Sequence, residues 1–155
     1  MAEAVHVHVP DRAGRDSFAI DSRVLGAVPA ALRRRQDAFD RTGGIHASAT
    51  FDGQGRVERV AEDVGRHNAL DKLIGGYFTD GRLPLTDRGL VFSGRASFEL
   101  IQKAAMAGCP FVAAIGPPSS LAVELAAEQR MTLVGFLRED RCNVYTLPHR
   151  VGTSG

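Results

Sequence analysis

The feature that most constrains the fold is an alternation of strand, turn and helix patterns in the second half of the chain. Short apolar runs predict strands at residues 89–92, 111–115 and 131–136, and helical spacing predicts helices at 96–107 and 119–129. A strand that is followed by a helix and then by another strand is typical of parallel pairing. The alternation therefore predicts an α/β fold, with helices packed on the faces of a largely parallel sheet.

The first half of the chain predicts a β-hairpin. Residues 46–51 alternate as a strand, residues 52–55 supply the turn chemistry of Asp-Gly-Gln-Gly, and residues 56–61 return as a second strand. The same reasoning predicts further strands at 4–9 and 143–147 and helices at 29–39 and 66–78. No internal repeat or second domain is recognisable, so residues 1–155 are interpreted as a single domain.

The bulk composition argues against several classes of protein. A net charge of +1 gives no electrostatic reason to expect nucleic acid or an anionic membrane as a partner. No apolar run reaches the roughly 20 residues that cross a bilayer, and no signal peptide is recognisable, so we expect a cytoplasmic protein. The two cysteines, Cys109 and Cys142, are far apart in the sequence and do not indicate a disulfide scaffold.

The strongest local signal for a binding site is the segment 62–72. Four residues that suit ligand binding crowd the start of the predicted helix, namely Gly65, Arg66, His67 and Asn68. The free N–H groups and the dipole of such a helix start favour phosphate or carboxylate. If the helix begins near Arg66, His67 and Asp71 share one face, and Asp71 could fix the tautomer of His67. Such pairs are more often structural than functional, and both interpretations stay open.

Polar residues also gather in two other loops. Arg95 lies in the loop 93–97 and Ser119 in the loop 116–120, and each loop leads from a predicted strand into a predicted helix. In open α/β sheets, ligands bind where such loops converge beyond the carboxyl ends of the strands. Arg95 is well placed to hold an anion, whereas capping of the helix alone is the better explanation of Ser119. Gly44, which follows another glycine and precedes His46, would allow close approach of a ligand to the backbone.

Taken together, these stretches resemble one family, the formate dehydrogenase accessory sulfurtransferases known as FdhD. The matching stretches are RTGGIHA at 41–47, EDVGRHNALDK at 62–72, SGRASFEL at 93–100, PSSLAVELA at 118–126, TLVGFLR at 132–138 and NVY at 143–145. They run in order over nearly the whole chain, and several long motifs at ordered spacing make the resemblance specific.

The resemblance implies a fold and a task. The fold is a cytidine deaminase-like, three-layer αβα sandwich around a mixed sheet. The task is to take sulfur from a cysteine desulfurase as a persulfide and to deliver it to the molybdenum cofactor, bis-molybdopterin guanine dinucleotide, of which GDP is a partial mimic. Formate dehydrogenase needs that sulfurated cofactor, so it is an expected partner. The resemblance further implies a homodimer.

The resemblance also implies where the cofactor binds. The family's cofactor-binding stretch matches Phe136, Leu137, Arg138, Glu139, Asp140 and Arg141. Arg138 and Arg141 would pair with phosphate oxygens, whereas the two acidic residues between them depart from the expected chemistry. Around this stretch, a pocket for a large anionic cofactor is expected to use the candidates described above: Gly44, His46, Arg66, His67, Asn68, Arg95 and Ser119.

The chemistry of sulfur transfer needs a reactive thiolate. Family members carry a CxxC loop upstream of the region matched here, and neither Cys109 nor Cys142 lies at an equivalent place. We therefore expect this chain to correspond to the family's C-terminal, cofactor-binding domain and to hold no catalytic residue of its own.

Two other classes of function are weighed against this one. A zinc deaminase needs His-x-Glu or Cys-x-Glu together with Pro-Cys-x-x-Cys, but Ser48 stands two residues after His46, and the sequence has no CxxC. No metal site is therefore expected. A dimerising interaction module without catalysis is the other alternative, for which the predicted strand 4–9 would be an edge that needs covering.

Overall fold

The structure is a computed structural model that describes residues 17–36 and 44–153. The strands are β1 (Ile20–Asp21), β2 (His46–Phe51), β3 (Val57–Asp63), β4 (Gly89–Phe92), β5 (Phe111–Ala114), β6 (Thr132–Gly135), β7 (Asn143–Thr146) and β8 (Val151–Gly152). The helices are α1 (Ser22–Gly26), α2 (Val28–Arg34), α3 (Arg66–Thr79), α4 (Phe98–Met106) and α5 (Ser120–Glu128), with a short 3-10 helix at Pro148–Arg150.

The main sheet is mixed and has the strand order β3-β2-β4-β5-β6-β7. The pairs β4–β5 and β5–β6 are parallel, as the strand–helix–strand alternation predicts. The other three pairs, β3–β2, β2–β4 and β6–β7, are antiparallel. The prediction of a largely parallel sheet is therefore wrong, and the mixed sheet implied by the family resemblance is confirmed. Physically, the hairpin enters the sheet against β4, and the chain after β6 turns back without a crossover helix.

Helices cover both faces of the sheet, so the αβα sandwich is confirmed. Successive strand residues point to opposite faces, and each face has its own core. On one face, α3, α4 and α5 pack on a core that includes Leu90, Val112 and Leu133. On the other face, α1, α2 and Phe18 pack on a core that includes Phe51 and Phe111.

Most predicted elements are confirmed within about two residues at each end. The prediction of a helix over 29–39 is wrong at its C-terminal end. The helix α2 begins at Val28 and ends at Arg34, and Arg35 forms its C-cap. Pro29 lies in the first turn of α2, where its missing N–H costs no hydrogen bond. The helix α1 and the short ladder β1–β8 were not predicted. The predicted strand 4–9 lies outside the described residues.

None of the helices that the structure describes is both long and apolar enough to cross a membrane.

Candidate functional site

One end of the main sheet gathers the polar loops. The parallel strands β4, β5 and β6 end there, and β2 begins there because it runs antiparallel to β4. His46, the first residue of β2, pairs with Asp63 at the end of β3. The N–H of Ala47 donates to Ser93 Oγ at 2.9 Å, and the N–H of Ser93 donates to the carbonyl of Ala47 at 3.0 Å. These contacts hold the loop after β4 against the start of β2.

The loops after β4 and β5 are joined by backbone hydrogen bonds. Gly116 donates to the carbonyl of Gly94 at 2.9 Å, and Ser119 donates to the carbonyl of Ala96 at 3.0 Å. A Cβ atom at Gly116 would lie 3.1 Å from the carbonyl carbon of Gly94 and 3.2 Å from Arg95 Cγ, so glycine permits this close approach. The two loops therefore form one ordered rim.

The segment after β6 completes this end of the sheet. Phe136 adopts a left-handed conformation with φ of 51°, which is uncommon for a bulky residue and turns the chain back toward β7. Its N–H donates to the carbonyl of Gly116 at 3.1 Å. The Nη1 of Arg138 donates to the carbonyl of Ile115 at 2.7 Å, which lays its guanidinium across the end of β5.

Three open clefts lie along this end. The Gln36 cleft, about 510 Å³, is lined by Pro29, Gln36, His46, Gly94 and Ile115 among others. The Arg66 cleft, about 220 Å³, is lined by Arg66, Arg95, Ser97, Pro118 and Ser119 among others. The Arg138 cleft, about 320 Å³, is lined by Phe136, Arg138, Arg141 and Asn143. No carboxylate from the described residues lines any of the three, so their chemistry suits anions and hydrogen-bond acceptors.

Two buried N–H donors at this end of the sheet lack a hydrogen-bond partner in the described part of the chain. Within residues 17–36 and 44–153, only Gln36 Nε2 and Arg66 Nε are buried side-chain polar atoms without a hydrogen-bond partner. Leaving such a donor unpaired costs about 1–3 kcal/mol, and more for a charged group. Both residues line a cleft described above, which makes the clefts the natural place for the missing acceptors.

The turn before α3 is set by Asp63. Its Oδ1 accepts from the N–H of Gly65 at 3.0 Å, and its Oδ2 lies 2.7 Å from Lys72 Nζ. The Gly65 N–H, and then Lys72, hold the pKa of Asp63 at about 2, well below its usual value. Gly65 is the N-cap of α3 but has no side chain to offer, so Asp63 stabilises the helix start from two residues upstream. Arg66 is thereby placed at the first position of the helix.

The structure does not contain the pairing of His67 with Asp71 that their spacing suggests. The two residues are four apart on α3, but the structure contains no hydrogen bond between them. Asp71 Oδ1 instead accepts from Lys103 Nζ at 2.7 Å, because α4 packs beside α3 and presents an opposite charge. The structure therefore gives Asp71 a role in joining two helices and none in orienting His67.

The other predicted site residues have different surroundings. Ser119 Oγ caps α5 by accepting from the N–H of Ala122 at 3.1 Å, so the structural interpretation of this serine explains its hydroxyl. Arg95 is exposed at the rim of the Arg66 cleft. Asn68 is exposed, and its side chain makes a minor contribution to the lowered pKa of Asp63.

The acidic pair in the predicted cofactor stretch lies outside the clefts. Glu139 and Asp140 are exposed and line none of the three, whereas Arg138 and Arg141 line one together. Leu137, from the same stretch, is buried in the core and cannot contact a ligand with its side chain. Gly44 and His46 line the Gln36 cleft.

Sequence reasoning missed Gln36 and Ile115, both of which line the Gln36 cleft. Ile115 lies directly after β5, where the general rule for α/β sheets could have found it. Gln36 carries no such signal, because it falls within the predicted helix 29–39 and a glutamine usually lies in solvent.

Among the described residues, no three His, Cys, Asp or Glu side chains come together in a way that could hold a metal ion.

The sequence profile of the FdhD/NarQ family matches residues 2–152. Curated relatives include the sulfur carrier protein FdhD of Streptomyces avermitilis, 54% identical over 132 residues, and that of Mycobacterium tuberculosis, 53% identical over 138 residues. These alignments cover 85% and 89% of this chain, but 47% and 50% of the relatives. The chain therefore spans about half the length of the curated relatives it matches.

Solved structures show the same fold. A candidate formate dehydrogenase accessory protein from Desulfotalea psychrophila aligns with a TM-score of 0.79 and 28% identity, over 86% of this chain and 57% of that one. A guanine deaminase from Nitrosomonas europaea aligns with a TM-score of 0.52 and 12% identity, over 90% and 92%. The second likeness concerns the fold alone and confirms its deaminase-like character. With the family profile matched along nearly all its length, the chain belongs to the FdhD/NarQ family.

Proposed function

We propose that this chain binds the molybdenum cofactor, bis-molybdopterin guanine dinucleotide, through phosphates held at the Arg66 and Arg138 clefts. The observation that carries the proposal is the buried Arg66 Nε, which has no acceptor among the described residues and lies in a cleft without a carboxylate. A phosphate oxygen is the acceptor that a guanidinium fork fits best. Arg95 beside it, and Arg138 with Arg141 in the neighbouring cleft, add positive charge for further phosphate oxygens.

We further propose that this binding serves the maturation of formate dehydrogenase in the cytoplasm. The proposal draws on the relatives, which are named sulfur carriers and a candidate formate dehydrogenase accessory protein. In it, a cysteine desulfurase supplies sulfur as a persulfide, and a homodimer of the carrier presents the bound cofactor. The sulfur-carrying thiol is assigned to neither cysteine of this chain, because Cys109 is fully buried and burial raises the pKa of the Cys142 thiol.

Calorimetric titration with GDP tests the proposal. We expect the chain to bind GDP and expect Arg66→Ala and Arg138→Ala each to weaken that binding about ten-fold or more. The reason is that a hydrogen bond to a charged group contributes about 1.5–3 kcal/mol, and 1.4 kcal/mol is a factor of ten in affinity.

Arg56→Ala is the matched control. Arg56 is an exposed arginine beside the β2–β3 turn, at the opposite end of the strands from His46 and Asp63, and it pairs with Asp52. Its removal should leave the affinity for GDP unchanged. Equal affinity in the wild type and in both cleft variants, with all proteins folded, would remove Arg66 and Arg138 from the site.

A dimerising interaction module is the second candidate function. The observation that favours it is strand β7, which forms one edge of the main sheet and exposes Val144 and Tyr145. Edge strands with exposed apolar side chains are places where a second chain can pair. A folded, dimeric protein that gives no heat with millimolar GDP would favour this function over cofactor binding.

A further inference from the structure

The Gln36 cleft lies between α2 and the loops that follow β4 and β5. Gln36 follows the C-cap of α2, and its N–H donates to the carbonyl of Arg33 at 3.1 Å, which places the residue just past the last turn. Its side chain points away from solvent, since the residue is only 4% exposed. An almost fully buried glutamine just past the end of a helix is unusual, because this residue type is mostly exposed.

The carboxamide of Gln36 lacks an acceptor in the described protein. Its Nε2 is buried and has no hydrogen-bond partner within residues 17–36 and 44–153. A buried donor without a partner destabilises the fold, and an apolar side chain of the same size would avoid that cost. A ligand in the cleft that Gln36 lines would supply the acceptor.

The remaining walls indicate what kind of group fits. Pro29, Ile45 and Ile115 give the cleft apolar surfaces, and Arg33, His46 and Ser93 add polar side chains beside Gln36. Ligand pockets of this kind combine apolar walls with a few polar groups that fix orientation. Apolar walls with the amide donor of Gln36 suit a planar ring that bears a carbonyl oxygen.

Ile115 connects the Gln36 cleft to Arg138, which lines the neighbouring cleft. Ile115 lines the Gln36 cleft, and its carbonyl accepts from Arg138 Nη1 at 2.7 Å. One ligand with a ring at one end and phosphates at the other could therefore engage both places.

We propose that the Gln36 cleft is a second subsite, which takes a planar lactam heterocycle of the guanine or pterin type, and that Gln36 determines its specificity by donating to the ring carbonyl. The assignment rests on the proposed cofactor binding, because the cofactor contains both ring types. Beyond that proposed function, Gln36 is the residue that binds the ring and not the phosphates.

Titration of the wild type, Gln36→Leu and Gln36→Met with GDP, a simple pterin and inorganic pyrophosphate tests the subsite. We expect both variants to lose about ten-fold or more in affinity for one of the two ring ligands and to keep their affinity for pyrophosphate. The ring ligand that responds identifies which heterocycle occupies the cleft. Both variants should also melt at a higher temperature than the wild type, because each removes an unpaired buried donor.

Gln102→Leu is the control, since Gln102 is a half-buried glutamine on α4 that lines none of the three clefts. It should change neither affinity. If a folded Gln36→Leu or Gln36→Met binds GDP and pterin as tightly as the wild type does, the subsite is refuted while the proposed function stands. If the wild type binds none of the three ligands, the proposed function fails and the subsite fails with it.

Discussion

At the scale of single residues, Glu58 on β3 is the centre of a charge network that includes Arg82 and Arg88. Its carboxylate accepts from Arg88 Nη2 at 3.0 Å and from Arg88 Nε at 3.2 Å, and it also accepts from the hydroxyl of Tyr77. Arg82 adds a weaker contact at 3.3 Å. Hydrogen bonds from Arg88, followed by that from Tyr77, lower the pKa of Glu58 to about 2 from its usual 4.5.

The lowered pKa predicts how stability depends on pH. A carboxyl group whose pKa falls on folding stabilises the native state above its unfolded pKa, and the contribution disappears as the pH falls to the folded pKa. Glu58→Gln should therefore unfold at lower urea concentration than the wild type at pH 7, and the difference should shrink between pH 4.5 and about 2. Urea unfolding of both proteins across this range measures the effect.

Glu128→Gln is the control for that series, because Glu128 is an exposed glutamate at the end of α5. It should follow the wild-type curve at every pH. If the difference in unfolding midpoint between Glu58→Gln and the wild type stays constant down to pH 2, the network does not hold the carboxylate in its charged form.

Residues also show where sequence reasoning reached its limit. Arg66 was predicted because its residue type and its place at a helix start both suit an anion, and the structure puts it in a cleft. His67 and Asp71 had the right spacing for a pair, but Lys103 from α4 competes for the carboxylate. Partners that come from another helix are not visible in a local pattern, and neither is the burial of Gln36.

At the scale of elements, strand positions could be predicted but strand directions could not. Periodicity of two identifies β2 and β6 without stating which way each runs in the sheet. The antiparallel return of β7 depends on the segment after β6, where Phe136 takes a left-handed conformation that no residue preference would suggest. The mixed sheet was anticipated through the family resemblance alone.

The packing of the segment 138–141 against α1 gives a prediction at this scale. A Cβ atom at Gly26 would lie 2.2 Å from the carbonyl oxygen of Glu139, so Gly26→Ala must push the segment 138–141 away from the helix. We expect a loss of about 1–3 kcal/mol in the free energy of unfolding, as for other overpacked sites. GDP binding should weaken as well, because Arg138 and Arg141 move with the segment.

Gly75→Ala is the matched control. Gly75 lies within α3, and a Cβ atom there would meet no atom within 4 Å. This substitution should stabilise the protein by about 0.5–1 kcal/mol, since alanine is the better helix former, and should leave GDP binding unchanged. Urea unfolding and calorimetry distinguish the two variants. A Gly26→Ala protein as stable as the wild type would mean that the segment 138–141 does not pack tightly against α1.

At the scale of the whole molecule, the αβα sandwich places its apolar cores on the two faces of the sheet and its polar loops at one end. The strands of the main sheet carry both apolar cores, while the polar loops that follow β4, β5 and β6 meet at one end of the sheet. Loops held by a rigid scaffold are where proteins place their binding residues. The described clefts provide cations and N–H donors for a ligand, but neither cysteine lines any of them.

Because neither cysteine lines a cleft, we predict that this chain binds a ligand without itself accepting sulfur. Cys109 is fully buried, with Sγ 3.1 Å from the carbonyl oxygen of Phe111, so a persulfide cannot reach it, and burial raises the pKa of the Cys142 thiol, which disfavours the thiolate that attacks a persulfide. We expect the folded chain to bind GDP and yet to gain no sulfur when incubated with a cysteine desulfurase and cysteine. Intact-mass spectrometry measures the gain, and unfolded chain treated with a thiol reagent confirms that both cysteines are chemically competent. A mass increase of one sulfur atom on Cys142 of the folded chain would place a carrier thiol next to the Arg138 cleft and contradict this prediction.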